Sequence, residues 1–400
     1  MSDLYLARQP IYDSNLDIYA YELLYRAGEE NHAPQETGDL ATYRVLVNAL
    51  SEIGLEELVG PHYAFINLTR GFLVGENPLP FAGNKVVLEV LEDISADEAV
   101  LAGVKRLSEM GHLIALDDFA YDESLQGLVD LCDIVKIDIM ALDREQLRRD
   151  VEILSRYDLK LLAEKVETQE EYEFCKALGF DYYQGYFFCK PNLLKRHRVP
   201  ASQLALIQLL AALSRPDVEM EELEELVGHD VSLSYKLLRY VNSAFFSLPA
   251  KVESLGQALV FLGLEFVRRW AMVLAMSGIE GKPPELLTTA LIRAKMCELM
   301  ATARGDEAPE RFFMVGLFSV LDALVDRPLA EVLDSLSLAE EINQALLAQE
   351  GIMGQVLHCV IAFEQGRWER IKCSTVGGVS LQSLYLEALS WAKEVMAGIR

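Results

Sequence analysis

A chain of 400 residues, 51% apolar and 24% charged, is long enough for about two or three domains that each bury a core. Its net charge of −26 argues against a nucleic-acid duplex as partner, because phosphate backbones are gripped by basic patches. Six scattered cysteines (Cys132, Cys175, Cys189, Cys297, Cys359, Cys373) form no C-x-x-C pair, which argues against a disulfide framework or a cysteine zinc site and predicts reduced, mostly buried thiols.

In chain order, the first predicted elements are strands at 4–12 ("LYLARQPIY") and 18–26 ("IYAYELLYR"), then 63–69, 85–92, 113–119, 133–139, 160–167 and 182–188. Between most of them the apolar spacing is helical, as in "DEAVLAGVKRLSEM" (97–110) and "QEEYEFCKALG" (169–179). This alternation predicts βα units. The polar residues Glu22, Asn67, Glu89, Asp117, Lys136, Glu164 and Gln184 recur at a mean interval of 27 positions, close to the ~30 per unit of a (β/α)₈ barrel. The later part of each strand carries one of them, and a barrel gathers such positions on one face.

After the polar, basic stretch "KPNLLKRHRVP" (190–200) the strand signal vanishes and amphipathic helical patterns run to the C-terminus. The expected organisation is therefore α/β plus all-α: a modified TIM-type (β/α)₈ barrel over 1–195, then an all-helical domain over 196–400. No apolar run reaches the ~18–20 residues that span a bilayer, and "MSDLYLARQP" lacks the order of a secretory signal. A cytoplasmic protein without a membrane span is expected.

Negative charge is densest in the barrel half. Residues 1–200 hold 19 Lys+Arg against 36 Asp+Glu, and residues 201–400 hold 17 against 26. Glu22, Asn67, Glu89, Asp117 with Asp118, Glu164 with Glu167, and Gln184 form an oxygen-rich set without thiol or histidine, which suits Mg²⁺ or Mn²⁺ rather than zinc. Two such ions about 3.5–4 Å apart are the usual means of phosphodiester hydrolysis. Asp117 and Asp118 are adjacent carboxylates in an apolar strand and need a counter-charge, of which Lys136 supplies only one.

"ELLYR" (22–26) resembles the E-A-L-L-R stretch of the EAL domain of cyclic-di-GMP phosphodiesterases, and "RQPIY", "FINLT", "LEVLE", "LDDFA", "VKID", "AEKVE" and "YYQGYFFCKP" follow that family's motifs in order over about residues 4–191. The resemblance implies up to two Mg²⁺ or Mn²⁺ ions held by Glu22, Asn67, Glu89 and Asp117, with Asp118 and Glu164 joining them. It implies that Lys136 holds the attacking water, that Gln184 and Glu167 support the site, that Arg26 grips a phosphate and that Gln9 contacts bound cyclic-di-GMP. It also allows a homodimer.

Three departures stand out. Leu23 replaces the alanine of E-A-L and predicts crowding beside Glu22; Leu91 replaces the threonine of E-x-T-E; and the glycine-bearing loop after D-D-F is shortened to "AYDES" (120–124). Ligands persist while their support changes, which predicts slow hydrolysis or, alternatively, a non-catalytic receptor or scaffold.

In the helical half, "GHDVSL" (228–233) suggests the His-Asp pair of metal-dependent phosphohydrolases, but partner ligands are missing after His229; only His358 follows. Asp230 is expected to cap the next helix instead. "HDVSLSYKLLRYVNSAFF" resembles the HDOD domain, an HD-like fold without metal ligands, so no metal is expected there. The order EAL then HDOD resembles the YuxH-type bacterial signalling proteins and implies an unidentified signalling protein as partner of the helical half.

Overall fold

The computed structural model describes residues 4–27, 54–75, 79, 85–119, 122, 125–190, 201–215, 217–228, 231–242, 252–279, 281–336, 338–371 and 374–399. The chain divides into two units, one of residues 1–187 with 363–369, the other of 188–362 with 370–400. A single boundary at 195/196 does not anticipate the return of 363–369 to the barrel unit.

The barrel unit opens with β1 (Leu4–Asp13) and β2 (Ile18–Ala27). The turn between them is closed by the Asp13 carboxylate, which accepts from the backbone N–H groups of Asn15 and Asp17 at 2.8 and 3.0 Å. There follow α1 (Leu55–Val59), β3 (Tyr63–Leu68), α2 (Arg70–Leu73), β4 (Val86–Val90), α3 (Glu98–Glu109), β5 (Leu113–Leu116) and α4 (Gln126–Val129). The unit continues through β6 (Ile134–Asp138), α5 (Arg144–Leu154), β7 (Lys160–Glu164), α6 (Gln169–Leu178) and β8 (Tyr182–Gln184). All eight expected strands are present and close into a barrel in sequence order.

One feature corrects the simple βα repeat. β1 runs antiparallel to both β2 and β8, while β2 through β8 pair in parallel. Only four residues separate β1 from β2, too few for a crossover of a dozen or more, so the first connection has to be a hairpin.

Helix entry is written locally. Asp97 and Asp143 accept backbone N–H groups at the starts of α3 and α5, and Thr168 with Glu171 forms a capping box on α6. Inside the barrel, Ile11, Ala20, Phe65, Val87, Ala115, Ile134 and Leu162, one from each of β1 to β7, make a buried layer. Tyr19 and Tyr182 stack beside it with centroids 4.0 Å apart. This packed layer leaves the other end of the barrel for polar side chains.

The second unit is helical: α7 (Ala201–Ser214), α8 (Met220–Gly228), α9 (Val231–Val241), α10 (Leu255–Leu262), α11 (Leu264–Ser277) and α12 (Pro284–Arg304). After these come α13 (Pro309–Phe318), α14 (Leu321–Val325), α15 (Leu329–Asp334), α16 (Glu340–Ala348), α17 (Gly351–Glu364) and α18 (Leu381–Ile399). The expectation that no strand follows the barrel is corrected by a small ribbon of β9 (Thr375–Val376) and β10 (Val379–Ser380). Its turn is Gly377–Gly378, with φ of 57° and 84°, and a Cβ on Gly377 would lie 1.7 Å from the Ala303 carbonyl oxygen.

Among the described residues one stretch, Glu340–Glu364, is long and apolar enough by length and composition to cross a membrane, with mean hydropathy 1.4. Left-handed backbone at Gln349 and Gly351 breaks it into α16 and α17, whose Ile342, Leu346, Val356 and Val360 are buried. His229 and Asp230, with the expected cap, lie outside the described residues, as does Cys373. Cys132, Cys175 and Cys297 are buried free thiols, as expected.

Candidate active site

Glu22, Glu89, Lys136 and Glu164 are buried charged groups that β2, β4, β6 and β7 present to the open end of the barrel. Glu89 and Lys136 have no exposed surface. Each interrupts an apolar run, so the strand's own burial carries the charge inward. The Lys136 ammonium lies 2.6 Å from Asp117 Oδ1, 2.8 Å from Glu89 Oε1, 2.9 Å from Glu164 Oε1 and 3.6 Å from Glu22 Oε2. Two amides fix Glu22: Gln184 Nε2 donates to Oε2 at 2.6 Å and Asn67 Nδ2 donates to Oε1 at 3.3 Å.

Register explains the convergence. Gln9 lies directly opposite Glu22, Asn67 opposite Glu89, and Gln184 opposite Ile11 of β1. Gly185 follows at φ 148°, where a Cβ would lie 2.0 Å from the Val166 carbonyl oxygen, so only glycine lets β8 approach the end of β7 this closely.

One cation among four carboxylates sets the electrostatics. Burial pushes the Glu89 carboxyl well above the carboxylate range, against the pull of Lys136, with Glu22 and Asp117 adding to the rise. Burial likewise raises Glu164, to about 8, opposed by Lys136 and reinforced by Asp117 and Glu22. For Lys136, burial disfavours the charge, but Glu164, Glu22, Glu89 and Asp117 together hold its pKa well above the usual lysine value.

The cluster opens into a cavity of ≈ 440 Å³ whose lining includes Gln9, Glu22, Asn67, Asp117, Asp118, Glu164 and Gln184. The structure thus gathers most of the expected residues at one mouth. Glu167 lies beyond β7, where its backbone N–H is held by Glu171 Oε2 at 2.8 Å, and it is not part of the cavity lining. Arg26 pairs with Tyr5 in the hairpin, but its side chain lies outside the described residues, as do Ala120, Tyr121, Glu123 and Ser124 of the loop after Phe119.

The expected crowding by Leu23 is corrected. Successive strand residues face opposite sides, so buried Leu23 points away from Glu22's face, and it is Leu24 that lines the cavity.

Several residues of the mouth were not anticipated. Tyr25 donates its hydroxyl to the Asn67 carbonyl, and burial, with Glu89 and Glu22 nearby, pushes its phenol pKa up. Lys165 lies between Glu164 and Glu167 and lines the cavity. Gln365, Gly366 and Trp368 also line it, on the 363–369 segment of the barrel unit. There Trp368 stacks on Tyr5 at 5.4 Å and Tyr186 donates to the Glu364 carbonyl at 3.3 Å.

A hard divalent cation fits this donor set. Asn67 Oδ1, Glu89 Oε2, Glu164 Oε2 and Gln184 Oε1 are buried without a hydrogen-bond partner in the structure, a costly arrangement unless something else satisfies them. The carboxylates point at the lysine ammonium, and among the described residues no three Cys, His, Asp or Glu side chains enclose an ion as they stand. A bound ion would draw these oxygens off Lys136.

A barrel with one reversed strand and an acid-lined mouth, followed in the chain by a helical unit, fits an EAL domain joined to an HDOD domain, and the family matches assign both. The EAL domain family matches residues 77–191 and the HDOD domain family residues 199–361. Strands β1 to β3, with Gln9, Glu22 and Asn67, precede the first match, and full-length relatives cover them. The chain is 34% identical over 406 residues to the uncharacterized protein YuxH of Bacillus subtilis strain 168, covering 98% of this chain and 99% of that one. It is 34% identical over 404 residues to cyclic di-GMP phosphodiesterase CdgJ of Vibrio cholerae serotype O1, covering 99% and 94%. The chain belongs to the family of YuxH and CdgJ. Among solved structures it is similar to a standalone EAL protein from Vibrio cholerae O395 in its c-di-GMP bound form, with 24% identity, TM-score 0.38, and coverage of 48% of this chain and 93% of that one.

Proposed function

We propose that the barrel binds cyclic-di-GMP and hydrolyses it slowly to linear pGpG with Mg²⁺ or Mn²⁺. The observation that carries this reading is the convergence of Glu22, Glu89, Asp117 and Glu164 on buried Lys136 at the floor of a cavity, with ligand oxygens left unsatisfied. Membership of the family that includes CdgJ supports the substrate.

Glu22, Asn67, Glu89 and Asp117 would hold one ion with Glu164 beside them, and Asp118 marks where a second of up to two would bind. When bound, the metal supplies charge for the developing phosphorane and lowers the pKa of water. The chain's residues do the rest. Gln184 and Asn67 hold the Glu22 carboxylate from both sides, so its direction is fixed before any ligand arrives. Lys136 keeps its proton among four carboxylates and holds the attacking water by donation. Arg26 and Gln9 bind the dinucleotide, Arg26 through bidentate donation to a phosphate. Water adds to one phosphorus, one ring P–O bond breaks, and the freed sugar oxygen takes a proton. The HDOD half serves as the contact for a signalling protein and holds no metal.

Chromatography of cyclic-di-GMP after incubation with purified protein and each metal tests this. The expected result is linear dinucleotide, more with Mn²⁺, and none with Glu22→Ala or Glu164→Ala. No product with either ion, together with no bound Mn²⁺, leaves the chain a non-catalytic receptor or scaffold.

A further inference from the structure

Lys165 follows Glu164 at the end of β7 and lines the same cavity. Its ammonium lies 2.6 Å from Asp138 Oδ2 and 3.4 Å from Asp118 Oδ1. Only five described non-glycine residues have left-handed backbone, and two of them are the members of this pair, Asp118 at φ 41° and Lys165 at φ 57°. Left-handed backbone disfavours side chains with a Cβ, and when such residues cluster at a site the strain is held by the surrounding structure. Here both strained residues belong to one ion pair at the cavity rim.

The acids of the mouth divide between two cations. Lys136 faces Glu22, Glu89, Asp117 and Glu164, a set in which one positive charge leaves an excess of carboxylate for an ion to neutralise. Among the described residues Lys165 forms ion pairs with Asp118 and Asp138, where a tethered charge already offsets half of the pair's negative charge. A divalent ion on Asp118 would also meet the neighbouring Lys165 ammonium, 3.4 Å from the same carboxylate, and like charges so close repel, with solvent at this half-exposed rim screening part of the repulsion. We propose that Lys165 is a tethered cation that takes the place of a second divalent ion at Asp118, so that the barrel holds one ion in the Lys136 cage and none at its rim. The inference rests on the metal reading of the site given above. Lys165 is a positioning residue in this scheme: it fixes Asp118 and acts on the reaction through the charge it supplies there.

Mn²⁺ titration of the full chain, followed by the electron paramagnetic resonance of free Mn²⁺, counts tight sites. Wild type and Lys165→Arg bind one ion. Lys165→Met and Lys165→Gly bind two, glycine also relieving the left-handed backbone, and adding Asp118→Asn to Lys165→Gly returns the count to one. Two ions on wild type, or one on either Lys165→Met or Lys165→Gly, overturns the inference while leaving the metal reading intact. No Mn²⁺ on any of these proteins overturns the metal reading itself, and this inference with it.

Discussion

The barrel mouth and the helical unit each contain a cavity lined by acids, and the difference between them lies in burial. The helical cavity is the larger, ≈ 520 Å³ against ≈ 440 Å³, and is lined by Asp306, Glu307, Arg311, Glu341 and Glu350 among others. Its Arg311–Glu341 pair is well exposed at both ends, so water solvates the charges and the pair contributes little. At the barrel mouth Lys136 and Glu89 have no exposed surface, and four side-chain oxygens lack partners. Cavity size does not locate chemistry; unsatisfied buried charge does.

The buried lysine offers the strongest test of that contrast. Lys136→Met removes the only ammonium within the cage and should destabilise the metal-free protein by about 3–5 kcal/mol, because breaking a buried ion pair strands its partners. Urea unfolding in EDTA measures this, and saturating Mn²⁺ should restore part of the loss. A change under about 1 kcal/mol would mean that the carboxylates need no counter-charge and would erase the difference between the two cavities.

Next in size is a pH effect. Glu164 rises from the free value of 4.5 to about 8 in the fold, so between those values the folded state keeps a proton that the unfolded state releases. Stability from this group is therefore fully present below 4.5 and is lost as pH rises through about 8. Thermal midpoints in EDTA should fall across this window, and Glu164→Gln should flatten the fall. Mn²⁺ should reverse the trend, since binding expels the proton.

Smaller again is the effect of Arg26→Ala, which should weaken cyclic-di-GMP binding by roughly ten- to a hundredfold, the worth of a charge-assisted contact of ~1.5–3 kcal/mol. Calorimetry on folded protein decides it. Unchanged affinity would show that β2 does not hold the phosphate.

Much of the barrel was legible because a charged residue inside an apolar strand is conspicuous: Lys136 in "IVKID" and Glu89 in "VVLEV" could reach the interior only with partners. The reversed direction of β1 was not, since parallel and antiparallel strands share the same alternation. The clue lay in the four-residue connection, which no crossover fits. The β9–β10 ribbon had its own signal, the Gly-Gly between "TV" and "VS", overlooked in a helical background. Trp368 had none, for its stacking on Tyr5 joins residues from opposite ends of the sequence. Lys165 was visible as a residue type between two marked glutamates, but its left-handed backbone, which sets it against Asp118, follows from tertiary packing and not from any preference of lysine.

The smallest expected effect lies in the helical unit, where His358 is the histidine that follows His229. His358 sits on α17, and its Nδ1 lies 2.7 Å from Gln349 Oε1 at the left-handed break after α16. An imidazole held by one neutral amide makes the kind of contact that a structural side chain makes, and the absence of metal expected in this unit is tested by removing that imidazole. His358→Ala should therefore cost about 1 kcal/mol, the worth of one hydrogen bond, and leave the Mn²⁺ count and cyclic-di-GMP hydrolysis of the full chain unchanged. His229→Ala should leave the same two quantities unchanged. Loss of a bound ion in either variant would place a metal centre in the helical half and break the contrast drawn from burial.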